Sequence, residues 1–440
     1  MMKSSTRWLL TGAGLAALAI GPSLPVLAAS SPAQATTTPA ANLRIELDQL
    51  LGAHAVLAQL AMEAGYKGAS DYSGYVSQLN QNTAALSQAI AGIYGAAAGA
   101  EFQKMWQGHI TDFVNYVIAT KEHNAAGQQA AIHALEQYKT QFANFLAGAD
   151  PHINATTLAD SLQVHITQIL ATFNAYVKGQ YATSAQDFVT AYDHMFMDGD
   201  YLAGAIAQQF PAKFAGTSPD TAAVNLRATL DELLGAHAVL AQLAMRAGYL
   251  GTPMYQPWAA VLSQNTASLS AAIGSVYGAQ AGQKFQVMWQ GHITDFVNYV
   301  VATKENNTTA QSAAKSALEQ YKTQFAAFLA SANPHFNATI LADSLQVHVN
   351  QLLATFTAFV GGQETTATTD FTMAYQHMFM DGDYLASGIV QQFPSQFGVS
   401  MSGATSPVTG FPILPMAIAG GAAALVGATL LRRRPAHAIR

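Results

Sequence analysis

A thirteen-residue stretch that places a methionine and a histidine in an apolar frame occurs twice in this 440-residue chain. It reads MWQGHITDFVNYV at residues 105–117 and again, without a change, at 288–300. On a helix Met105 and His109 share one face, because residues four apart lie one turn from each other. Imidazole and thioether groups bind copper and haem iron, so this face is a candidate ligand site.

Further histidines follow the same internal duplication. Four histidines of the first half recur 183 positions later: His54 as His237, His109 as His292, His165 as His348, and His194 as His377. By contrast, Asn306 and Ser316 stand where the first half has His123 and His133. The retained histidines and nearby methionines give the candidate metal ligands His54, Met105, His109, His165, His194, Met197, His237, Met288, His292, His348, His377 and Met380.

The segment around His194 has the most unusual composition. It reads HMFMDGDYLA at 194–203 and again at 377–386. A glycine inside a helix costs about 1 kcal/mol relative to alanine, so Gly199 indicates close packing, a kink or a ligand. Imidazole with thioether suits copper or the axial positions of a non-covalent haem, whereas imidazole with carboxylate suits zinc, iron or manganese. The alternative is that the histidines are hydrogen-bonded core residues and the methionines fill gaps.

Helical periodicity extends through most of residues 42–214 and 225–398. Apolar residues recur at three- and four-residue spacing in six segments of each half, and Gly, Pro, Asn and Ser interrupt the pattern between them. The spacing predicts an all-α fold of two tandem up-and-down helical bundles, each of about six helices. Because the four histidines of a half fall near the middle of their helices, we expect them to converge in the bundle interior.

Both ends of the chain carry features of exported, anchored proteins. Basic residues, an apolar run and the small residues of VLA at 26–28 predict an export signal, and the apolar run near the C-terminus is long enough to cross a bilayer. The chain is divided as follows: signal peptide 1–29, flexible linker 30–41, first repeat 42–214, linker 215–224, second repeat 225–398, linker 399–410, and hydrophobic anchor with basic tail 411–440. We therefore expect an extracytoplasmic protein held at the cell surface.

The C-terminal tail resembles the cell-wall sorting signals of Gram-positive surface proteins. Pro407, Thr409 and Gly410 match the P-x-T-G core, while Ser406 stands where such signals usually have leucine. The resemblance implies attachment to the cell wall, and a membrane anchor is the alternative. The expected partner of the tail is accordingly the cell wall or the membrane.

Composition and missing motifs exclude several functions. With 25 acidic and 19 basic residues the chain has no basic stripe for nucleic acid, and with no cysteine it has neither disulfides nor thiolate metal sites. The sequence contains no G-x-S-x-G, H-E-x-x-H or phosphate-binding glycine loop. The paired Glu-x-x-His motifs of di-iron bundles are also missing. The sequence therefore favours a protein that is not an enzyme.

Five segments together resemble a helical domain of secreted Gram-positive proteins that are often labelled copper amine oxidase-like. They are LGAHAVLAQLAM, LNQNTAALSQAI, HITDFVNYV, LQVHITQIL and HMFMDGDYLA. The resemblance implies a helical fold and a surface location for residues 42–398. It implies no activity, because the tyrosine-derived quinone motif of amine oxidases is not evident. We predict a binding protein with a His/Met-lined site in each repeat, for copper, another transition metal or haem; a structural or adhesive spacer is the alternative.

Overall fold

The computed structural model describes residues 32–399, which form twelve α-helices and two short 3₁₀ helices. Those of the first half are α1 (Pro39–Lys67), α2 (Tyr72–Tyr94), α3 (Ala96–Lys121), α4 (Ala125–Ala149), α5 (Ala155–Val177) and α6 (Tyr181–Gln209). Those of the second half are α7 (Ala222–Leu250), α8 (Tyr255–Tyr277), α9 (Ala279–Lys304), α10 (Thr308–Ala332), α11 (Ala338–Val360) and α12 (Glu364–Gln392). No strand occurs within 32–399, so the predicted all-α fold class is confirmed.

Local sequence signals explain where many of these helices begin and end. Asn124 accepts a hydrogen bond from the backbone N–H of Gly127 and so caps the start of α4, and Asn154 caps α5 by accepting from Thr157. Gly68 ends α1 in the left-handed conformation, with φ of 68°, which glycine adopts without strain. The polar and glycine-rich breaks in the sequence thus correspond to caps and turns.

Helix α1 is the central element of the first half. Each helix packs against the next one along the chain, α6 closes on α1, and α1 also contacts α3 and α5. The second half repeats this pattern around α7. A helix with neighbours on so many sides must be apolar or small on most of its surface, which accounts for the segment LLGAHAVLAQLAM.

The two halves pack against each other through reciprocal contacts. The Arg44 guanidinium at the start of α1 donates to Asn225 Oδ1, and the Arg227 guanidinium at the start of α7 donates to Asn42 Oδ1. Such exchange, in which residue i meets j and j meets i, is the pattern of a two-fold interface. Residues 215–224, predicted to be a linker, include the start of α7 at Ala222.

The predicted export signal at 1–29 and the anchor at 411–440 lie outside the described residues. Within 32–399, no helix combines the length and apolar character that crossing a membrane requires.

Candidate metal centre

Three of the predicted histidines of the first half meet in the interior. His54 on α1, His109 on α3 and His165 on α5 expose only 0%, 1% and 3% of their surface. Each offers one ring nitrogen to a group whose members all lie within 4.8 Å of one another. We call these residues the first triad. Three helices that are separate in the sequence therefore position one cluster of imidazoles.

The spacing of the first triad is close to that of a metal site. The Nε2 atoms of His54 and His109 are 3.3 Å apart. Three imidazole nitrogens bound to one tetrahedral ion at about 2.0–2.1 Å lie about 3.3–3.4 Å from each other. The His54–His109 pair already has this separation, and the ligand atom of His165 lies within 4.8 Å of both.

One hydrogen bond fixes the tautomer of His54 in this arrangement. The indole Nε1 of Trp106 donates to His54 Nδ1 over 3.3 Å. Because an indole nitrogen can only donate, Nδ1 of His54 is the acceptor, and the proton of the neutral ring lies on Nε2, facing His109. For His54 Nε2 to bind a metal, this proton must move to Nδ1, and the hydrogen bond from Trp106 must break.

His165 has the least satisfied ring of the triad. Neither of its ring nitrogens has a hydrogen-bond partner among the described residues. A buried polar group without a partner costs about 1–3 kcal/mol, so this side chain is expensive to keep in a metal-free core. A metal ion bound at the triad would satisfy one of these two nitrogens.

Burial keeps the triad uncharged. Desolvation lowers the pKa of His54, His109 and His165 well below the usual histidine value, and each ring is further disfavoured as a cation by another ring of the cluster. His194 also lowers the pKa of His165, and the backbone of Trp106 partly opposes the shift at His109. Neutral imidazole is the form that binds metal ions.

Tyr138 on α4 completes the wall of the site. Its ring stacks on His109 with centroids 4.5 Å apart, and its buried hydroxyl has no hydrogen-bond partner within the described part of the chain. Burial and the nearby Asp198 carboxylate raise its pKa well above the usual value. The sequence signal for this role is that both halves have a tyrosine at the same core position, Tyr138 and Tyr321.

The second half contains the same arrangement, which we call the second triad. Its residues are His237, His292 and His348, and their ring centroids lie 5.2, 5.6 and 6.3 Å apart. Trp289 donates to His237 Nδ1 as Trp106 does to His54. The ring nitrogens of His348, like those of His165, lack hydrogen-bond partners inside residues 32–399.

His194, the fourth predicted histidine, lies beside the first triad and has other partners. Its Nε2 lies 3.2 Å from Ser161 Oγ and 3.7 Å from Asp198 Oδ2. Ser161 is on α5, one turn from His165. Ser161 donates its hydroxyl proton to Asp198 rather than to His194. Because serine and aspartate share one imidazole nitrogen, the group lacks the relay geometry of a nucleophilic triad. His377 has the same surroundings in the second half, with Ser344 and Asp381.

The four predicted methionines lie in two different environments. Met197 and Met380 expose 46% and 68% of their surface, so they face outward from α6 and α12. Met105 and Met288 are half-buried and pack with the apolar cores. The clustered ligand atoms of each triad are imidazole nitrogens.

Close packing accounts for Gly199. A Cβ atom at this position would overlap Asp48 Oδ1, which lies against α6 from α1. Asp48 is fully buried and forms an ion pair with Arg44 at 3.5 Å. Gly382 has the same relation to Asp231 in the second half. The glycine thus lets a buried carboxylate approach the backbone of α6, next to Asp198 of the site.

Comparison with known proteins adds no assignment, since no protein-family model, curated protein or solved structure matches the chain. The function must be argued from the geometry of the triads.

Proposed function

We propose that the protein binds transition-metal ions, one at each histidine triad, in two tandem up-and-down bundles of six helices. The observation that carries this proposal is the clustering of three buried imidazoles with ligand atoms within 4.8 Å, twice in one chain. In both halves, buried histidine ring nitrogens lack hydrogen-bond partners among the described residues, which destabilises the metal-free protein. These unpaired nitrogens favour a bound ligand over simple packing.

The ligand chemistry favours copper or zinc. Three imidazole donors suit both ions, and copper(II) binds more tightly than zinc at comparable nitrogen sites. Haem is disfavoured on size, because the cavity beside the first triad has a volume of about 40 Å³. Pockets for organic ligands usually have about 300–1,000 Å³.

We also propose that the metal-binding domains lie outside the cytoplasm and are attached to the membrane or cell wall. The support comes from the sequence of the two ends, with an export-type segment at 1–29 and an anchor-type segment at 411–440. Cell fractionation tests this location: recovery of the protein in the cytosol would contradict it.

A metal-free spacer is the second candidate, and one observation favours it. The bond from Trp106 to His54 and the contact from His54 to His109 form a hydrogen-bonded chain that satisfies both ring nitrogens of His54 and Nε2 of His109 without an ion. In that case His165 and His348 keep their unpaired nitrogens, at the cost given above.

Metal analysis decides between the two candidates. We expect the metal-free full-length protein to bind two equivalents of copper(II) or zinc, and saturation at a hundred times the Kd to stabilise each site by about 2.7 kcal/mol. His165→Phe should reduce the stoichiometry to one, and H165F/H348F should reduce it to zero. Met197→Leu is the matched control, because this exposed residue lies one turn from His194, and it should leave two equivalents bound.

The Trp106–His54 bond provides a second readout. Zinc binding through His54 Nε2 requires the Trp106 indole to release Nδ1, so the indole N–H resonances of Trp106 and Trp289 should shift on loading. Binding of two equivalents without these shifts would place the ion on other atoms. If no metal binds to the folded protein, the spacer is the correct function.

A further inference from the structure

A small cavity lies against the first triad. It has a volume of about 40 Å³, and its wall includes His109, His165, Tyr138 and Asp198 among apolar side chains. A cavity needs about 10–15 Å³ for each water-sized group, so this one has room for about three. The corresponding cavity of the second half, of about 30 Å³, includes His348, Ser344 and Asp381 in its wall.

The polar atoms in the wall are arranged around this space. The Tyr138 hydroxyl is buried and lacks a partner in the described structure, and both nitrogens of His165 are in the same condition. Asp198 supplies the one carboxylate of the wall. Three imidazoles leave a fourth position on a tetrahedral ion, and sites of this kind keep that position for water or a small ligand.

We infer that each metal site is of the open type and that the first one admits a small anion of about three atoms as the fourth ligand, with the Tyr138 hydroxyl donating to it. The inference rests on the proposed metal binding. The ligand enters as a complete molecule and displaces metal-bound water, so no bond within it breaks. The apolar wall and the cavity volume exclude larger ligands, which distinguishes this site from an exposed metal ion.

Azide is the probe that tests the inference. The protein is used in full length with His348→Phe, which confines copper(II) to the first triad. Azide should then add a charge-transfer absorption band and saturate at one equivalent per copper. Imidazole, a five-atom ring, should cause no saturable change. Adding Tyr138→Phe should weaken azide binding about tenfold, the equivalent of 1.4 kcal/mol, while the copper stoichiometry stays at one.

Tyr116→Phe is the matched control, because Tyr116 lies in the same core but its hydroxyl donates to Asn174. Azide affinity should be unchanged in this variant. Copper loading without an azide band, or with imidazole binding as tightly as azide, would overturn the inference and leave metal binding intact. Failure to load copper at all would refute the proposed function, and the inference with it.

Discussion

In the metal-free protein, the two triads are expected to contribute a loss of stability as the pH falls below about 6.5. Burial lowers the pKa of all six triad histidines in the folded state, whereas the unfolded chain has ordinary values near 6.5. The unfolded state therefore takes up more protons, and stability is lost from the unfolded pKa downward. Each histidine contributes about 1.36 kcal/mol per pH unit once its unfolded form is protonated.

Buried carboxyl groups oppose this loss. Burial raises the pKa of Asp198, Asp231 and Asp381, and raises that of Glu63 to about 7. These groups bind protons in the folded state first, so they add stability as the pH falls through their folded pKa values. The triad effect must accordingly be measured as a difference between variants, in chelator-treated buffer.

The variant H165L/H348L removes one histidine from each triad. Its free energy of unfolding should fall less steeply than that of the wild type between pH 6 and 5, by about 2.5 kcal/mol per pH unit. H123N/H133S is the control, since these are the residues that the second half carries at the same positions. An unchanged slope in H165L/H348L would mean that the triad rings are protonated in the folded protein.

Much of the helical structure follows from the sequence. Polar caps such as Asn124 and Asn154, and the left-handed Gly68, define breaks that local sequence can signal. The contact between halves was not predicted. It depends on hydrogen bonds such as the one that the Tyr192 hydroxyl donates to the Glu232 carbonyl on α7. Local periodicity does not show which buried helix face meets the other half.

The sequence predicted the level of the histidines along their helices, but it did not predict the direction in which each helix face points. Mid-helix placement predicted that four histidines would converge, and His54, His109 and His165 do so. Contacts with other helices set the rotation of α6 about its axis, and the apolar pattern of α6 does not reveal them. Gly199 packs on Asp48 of α1, and the Phe196 ring stacks with that of Phe379 in the other half. With these two faces buried, His194 meets Ser161 rather than the triad, and Met197 faces solvent.

Replacing Gly199 by alanine is expected to be strongly destabilising, in contrast to the usual effect of this substitution in a helix. The added Cβ would overlap Asp48 Oδ1, and Asp48 cannot withdraw easily because it is fully buried and pairs with Arg44. Overpacking of this kind costs about 1–3 kcal/mol, and loss of a buried ion pair costs about 3–5 kcal/mol. Against a gain of about 1 kcal/mol in helix propensity, we expect a net loss of at least about 3 kcal/mol.

Gly204→Ala, on the same helix, is the matched control. No atom lies within 4 Å of the Cβ that this substitution adds, so it should raise stability by up to about 1 kcal/mol. Thermal unfolding of both variants with the wild type measures the two effects, and Gly199→Ala should lower Tm by at least about 4 °C. Because Gly199 adjoins Asp198, its variant should also disturb the cavity wall and weaken azide binding at the copper site. Equal stabilisation by both alanines would show that α1 and α6 do not pack this closely.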